Sequence, residues 1–274
     1  MNEFTEWLSD ILHATAFEMT PPTAYGAFHL TFAIVGFAVS LLLAWKLRNI
    51  GGKRCRILIF SVGAFLIACE LYKQLFYYFC IGEVGYKWWI FPFHLCSVPM
   101  YLCVIAPIIK QGAISKAMYS FMMIYNLMGG FITFFEPSGI NLSYWGLTLH
   151  AYTWHMTLVF VGLFLAFSGL GGKTIRDYWW ASGTFVVLCV MAFCINLIFW
   201  DVSGGDINMF FVGPKNSSLV VFKDIAKNFG WYVSTLLYVP AVCLGAYIVF
   251  LPFHIWEKKK APKTAPEKIA VTNS

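Results

Sequence analysis

Seven apolar stretches, at residues 28–45, 57–79, 88–109, 117–135, 144–167, 178–200 and 231–253, take up most of this 274-residue chain. A helix needs about 20 mainly apolar residues to cross the hydrocarbon core of a bilayer, and each stretch meets that requirement. Breakers such as Gly51-Gly52, Gly112, Pro137-Ser138-Gly139 and Gly171-Gly172 fall between them. The predicted fold class is all-α, a polytopic membrane helix bundle with seven transmembrane helices. Only 12% of the residues are charged, about half the share in a soluble domain, so a water-soluble surface cannot be built from this chain.

The basic residues set an orientation, because cytosolic connections retain Lys and Arg in excess. Lys46, Arg48, Lys53, Arg54 and Arg56 lie in the first connection, Lys110 and Lys116 in the third, Lys173 and Arg176 in the fifth. The tail adds Lys258, Lys259, Lys260, Lys263 and Lys268, against only Lys87, Lys215, Lys223 and Lys227 on the other side. Seven crossings satisfy this pattern in a cell membrane with the N-terminus extracytosolic and the C-terminus cytosolic. The expected organisation is an extracytosolic segment at 1–27, a membrane domain at 28–253 with one long extracytosolic loop at 201–230, and a basic cytosolic tail at 254–274. The N-terminal segment has no Lys or Arg before Ala24, so it lacks the basic start of a signal peptide. Scattered Lys and Arg do not form a nucleic-acid-binding surface. The loop is apolar at its centre, Met209-Phe210-Phe211-Val212, which predicts a lid or re-entrant segment resting on the bundle. Asn141-Leu142-Ser143 and Asn216-Ser217-Ser218 match the glycosylation sequon on the same side.

Ionisable groups inside a span are costly and mark functional positions by default. Glu70, Lys73 and Gln74 in the second span have the i, i+3, i+4 spacing of one helical face. They make either a structural ion pair or a substrate contact. In the third span, Pro92 and Pro99 flank His94 and Cys96 and should distort the helix. On a regular helix, residues two apart point about 200° apart, so His94 and Cys96 would face opposite ways. Cys96 is either an apolar filler or, with a base from another helix, a nucleophile. Cys103, one heptad on, reads as packing. His150 and His155 share the fifth span at about 140°, with no zinc-binding His spacing, and no cofactor motif occurs. With the orientation above, Glu70, Lys73, His94, Glu136, His150, His155 and Asn196 fall in the outer half of the membrane. They predict a polar pocket capped by the 201–230 loop, with His29 at its rim and Asn126 as a further buried polar group.

At Phe93-His94-Leu95-Cys96-Ser97 the sequence resembles the YwaF family of bacterial integral membrane proteins, with Glu70 and Ile207-Asn208-Met209-Phe210 extending the likeness. That family is similar to the transmembrane protein 164 family, which is associated with acyl transfer between phospholipids through a Cys and a His. The resemblance implies Cys96 as nucleophile and His150 or His155 as base; the pocket residues His94, Glu70, Lys73, Glu136 and Asn196, with Asn208 of the loop, would bind substrate. Its partner would be a membrane phospholipid or lysophospholipid, with no cofactor and no metal. The alternative is a proton-linked transporter or a lipid-binding protein without catalysis, using the same carboxylate and histidines.

Overall fold

The computed structural model describes residues 3–82 and 86–260, with the Lys260 side chain left out. Lys263 and Lys268 of the expected tail lie outside the described residues. The elements, in chain order, are α1 (Glu3–His13), α2 (Ala27–Leu47), α3 (Gly52–Phe76, continued by a π turn at Tyr77–Ile81), α4 (Val98–Ile108) and α5 (Ala113–Phe121). A π segment at Met122–Asn126 joins α5 to α6 (Leu127–Thr133), followed by α7 (Trp145–Ser168), α8 (Ile175–Ile198), α9 (Phe222–Phe229) and α10 (Trp231–Lys260). The described residues contain no β-strand, only an isolated bridge between Glu18 and Tyr144.

Five helices are long and apolar enough to cross a membrane: Ala27–Leu47, Gly52–Ile81, Trp145–Ser168, Ile175–Ile198 and Trp231–Lys259. They carry their apolar side chains outward. Ile34 and Leu42 on α2, Ile198 on α8 and Leu236 on α10 are each about 70% exposed. Such a surface is stable only against lipid. α7 is the central helix and is buried on most sides.

The two remaining stretches depart from regular spans. The third has a 3-10 turn at Trp88–Ile90 and is α-helical only over Val98–Ile108. Pro99 cannot donate its backbone hydrogen bond and so suits a helix start, while Pro92 keeps the preceding chain out of the helix. Residues 91–97 are therefore an irregular turn, closed by Ser97 N–H and Val98 N–H on the His94 carbonyl (2.9 and 3.1 Å). The fourth runs without a break from Ala113 to Thr133, but through the π segment at its middle.

At one end of the bundle lie the tight connections. Gly169 ends α7 in a left-handed conformation (φ 77°), and Thr174 with Asp177 forms the capping box that starts α8. Lys116 pairs with Asp177 at 2.9 Å and Lys173 with Glu257 at 3.1 Å. The opposite end holds α1, the π turn of α3, the irregular 86–97 segment and the 201–230 loop.

That loop is docked, not free. Ile207, Met209, Phe210 and Val212 are buried, with Phe210 against Phe93 and Phe185. Asn196 of α8 holds the loop backbone with both halves of its amide, accepting from Met209 N–H at 2.7 Å and donating to Met209 C=O at 3.0 Å. Phe210 and Phe211 take positive φ (55° and 58°), an unfavourable conformation for such residues, and burial holds them there. Asn196→Ala leaves two buried backbone groups unpaired, so the loop should lose about 2 kcal/mol of local stability. Hydrogen exchange of the Met209 amide measures this, and unchanged protection would contradict it.

Candidate functional site

The face expected of Glu70, Lys73 and Gln74 forms at the end of α3. Lys73 Nζ lies 2.9 Å from Glu70 Oε1, and Gln74 Nε2 donates to the same oxygen at 2.7 Å. Gln74 also donates to the Ile90 carbonyl at 2.8 Å and accepts from Tyr86 OH at 3.0 Å. Both charges are largely shielded from solvent. The network thus ties the α3 end to the segment that leads into Cys96.

Glu70 and Lys73 line a cavity of 160 Å³ with Tyr77, Trp89, His94, Cys96, Ser97, His150, Trp154 and His155. Its volume equals roughly five waters, room for a small charged group. Beside it lies a second, larger cavity of 480 Å³, walled by Leu95, Met128, Ile132, Phe211, Leu219, Phe222, Tyr238 and Val242, with Glu136 at its edge. His94, Cys96 and His155 line both. The smaller cavity holds the Glu70 and Lys73 charges, the larger is walled mainly by apolar side chains with Glu136 among them, and Cys96 lines both.

The opposed directions expected for His94 and Cys96 do not hold, because residues 91–97 are not helical. The turn brings both side chains to the same two cavities. Its shape is fixed from α7, where Trp154 Nε1 donates to the Cys96 carbonyl at 2.9 Å. His94 Nε2 lies 2.8 Å from the Trp89 carbonyl, so Nε2 carries the proton and Nδ1 is left to accept. His155 is the mirror case. Nδ1 donates to the Ala151 carbonyl at 2.8 Å, leaving Nε2 of the neutral ring as a base. His150 stacks on Trp154 with ring centroids 5.5 Å apart, and its buried Nε2 has no hydrogen-bond partner among the described residues. It lines the charged cavity but not the apolar one.

Of the other expected site residues, Glu136 alone borders one of the two cavities. Asn196 lines neither cavity, since its amide is used on the loop. Asn208 is also away from both. It donates weakly to the Lys215 carbonyl (3.4 Å), and its buried Oδ1 has no partner among the described residues. Glu136 is exposed and accepts from Ser138 at 2.8 Å. His29 is not a rim group. It is buried against Phe134 and Tyr152 and accepts from the Tyr25 N–H. Asn126 is buried in the π segment, its amide oxygen and nitrogen without a hydrogen-bond partner among the described residues, and lines neither cavity.

Trp154, Tyr238 and the apolar cavity itself were not foreseen from sequence. Trp154 had a signal, since it lies mid-span, away from the interfacial belts where Trp collects. Tyr238 gave none. Among the described residues no three His, Cys, Asp or Glu side chains gather as metal ligands.

Fold and site together define an α-helical integral membrane protein whose interior presents a cysteine and two histidines between a charged and an apolar compartment. Residues 24–250 match the sequence profile of the TMEM164 family, and the chain belongs to it. The short motifs shared with the YwaF group are not themselves what that match reports. No curated protein and no solved structure shows significant similarity.

Proposed function

We propose that the chain is a lipid acyltransferase of the cell membrane that moves an acyl group between phospholipids through Cys96. The observation that carries this reading is the position of Cys96, between a cavity suited to a charged headgroup and one suited to a chain. Of the two histidines open as base, His155 borders both cavities with the thiol, and His150 borders one.

In this mechanism His155 Nε2 takes the Cys96 proton, and the thiolate attacks the carbonyl carbon of a phospholipid ester. The ester C–O bond breaks and the leaving oxygen takes the proton back from the imidazolium. A lysophospholipid departs and a Cys96 thioester remains. The hydroxyl of a second lysophospholipid then gives its proton to His155 and attacks the thioester, the C–S bond breaks, and the thiol is restored. Lys73, paired with Glu70 in the structure, would turn to the phosphate, and His94 and His150 would hydrogen-bond the headgroup. No cofactor enters either half-reaction.

The same reading places α4 with its irregular lead-in, and the α5 to α6 path, as the third and fourth of seven crossings. The N-terminus is then extracytosolic and the cavities open toward the outer leaflet, in line with the distribution of Lys and Arg.

The test is intact-protein mass spectrometry after incubation with phospholipid. The expected result is a mass increase of one acyl chain, released by hydroxylamine and absent in Cys96→Ser. Lipid binding without an adduct, over several headgroup classes, would replace the enzyme with a lipid-binding protein.

A further inference from the structure

Adjacent glycines, Gly129 and Gly130 in α6, have opposite surroundings. A Cβ on Gly130 would come within 2.8 Å of the His155 carbonyl oxygen and 3.0 Å of Val159 Cγ2. Gly130 is therefore a packing residue that lets α6 and α7 approach. A Cβ on Gly129 would meet no heavy atom within 4 Å, and Gly129 lines the apolar cavity. Nothing in helix packing requires a glycine there, and a glycine weakens a helix by about 1 kcal/mol relative to alanine.

The facing wall belongs to α10, with Ala241, Val242 and Gly245. A Cβ on Gly245 would meet only the Met128 sulfur, at 2.9 Å, the flexible part of a side chain. Gly129 thus leaves a slot open on the α6 side, and Gly245 on the α10 side gives room to the Met128 thioether. From Thr133 to Met128 on α6 the lining runs about 8 Å by helical rise. On the α6 wall, the Thr133 hydroxyl donates to the Gly129 carbonyl at 2.9 Å, which satisfies it within the helix. Ile132, on the same wall, is half exposed on the outer face of the bundle, so the slot is reached from the lipid side, between α6 and α10.

We propose that Gly129 and Gly245 determine which acyl chains the protein accepts: a single fatty chain lies in this slot, with Gly129 setting its width and Gly245 its depth. The inference rests on the lipid reading of Cys96 but not on catalysis.

Protection of Cys96 from maleimide tests it, read by peptide mass spectrometry on the full chain in detergent with lysophosphatidylcholines of short, medium and long chain. In the wild type the long chain should slow labelling several-fold more than the short one. Gly129→Leu should abolish protection by the long chain and spare that by the short. Gly245→Leu, on the other helix, should shorten the longest chain that protects. Gly129→Ala, whose Cβ fits the existing space, should shift the order in the same direction by less, and serves if the larger substitution fails to fold. Protection independent of chain length in the wild type, or an unchanged order in the variants, overturns the proposal. Labelling needs no turnover, so chain-dependent protection without an acyl adduct would sink acyl transfer and leave the slot standing.

Discussion

Replacing Cys96 with alanine, or His155 with glutamine, should lower acyl transfer at least a thousandfold, whereas His150→Gln should cost about tenfold or less. The asymmetry follows from where the two rings lie. His155 Nδ1 is committed to the Ala151 carbonyl, which fixes the tautomer and leaves Nε2 to accept the thiol proton. The ring borders both cavities, as Cys96 does. His150 is stacked on Trp154 and lines the charged cavity but not the apolar one that Cys96 borders. Its loss should raise KM and leave kcat nearly intact, as expected when an interaction serves substrate and transition state alike. Because a nucleophile and its base act as one unit, Cys96→Ala with His155→Gln should be little worse than either alone. Turnover assays on purified variants in phospholipid vesicles give both parameters. If His150→Gln removed kcat and His155→Gln did not, the roles of the two rings would be exchanged. If neither did, Cys96 would have lost its base and the enzyme reading its support.

What the sequence made legible differs sharply between the fold and the site. Long apolar runs are read easily, and five of the seven reappear as helices long and apolar enough to cross a membrane. The Glu70, Lys73, Gln74 cluster could be read because helical spacing alone brings the three together, and no partner from afar was needed. The Cys96 region was half legible. Two prolines announced a distortion, but the direction of His94 relative to Cys96 was worked out for a helix that the prolines had removed. Asn196 was assigned to substrate because it is polar and near the right depth, and Asn208 because the loop resembles that of the YwaF family. Depth does not say whether a polar group faces a cavity or a neighbouring backbone, and Asn196 meets Met209. The apolar cavity left no trace in the sequence. Met128 and Val242 have the same composition whether they face lipid, a packed neighbour or an empty slot, and only the pairing of α6 with α10 distinguishes these.

The Glu70 and Lys73 pair carries the largest stability prediction. Lys73→Met should destabilise the protein by about 3 kcal/mol or more, while Glu70→Gln combined with Lys73→Met should recover most of that loss. A lone buried carboxylate must either keep a charge that little solvent screens or take up a proton. Glu70 is 5% exposed, and without Lys73 its remaining partner is the neutral amide of Gln74. With glutamine at 70 and methionine at 73 no charge is left to desolvate, and one amide can still meet the other. Unfolding of the two variants in detergent, compared with Glu70→Gln alone, closes a double-mutant cycle whose coupling term measures the pair. A coupling near zero would mean that water reaches both groups through the 160 Å³ cavity. The same variants separate stability from function. If Lys73 serves only to neutralise Glu70, the double variant should bind phospholipid as the wild type does. If it also holds the phosphate, the double variant will be stable yet bind phospholipid weakly, and the charged cavity will then be a headgroup site in its own right.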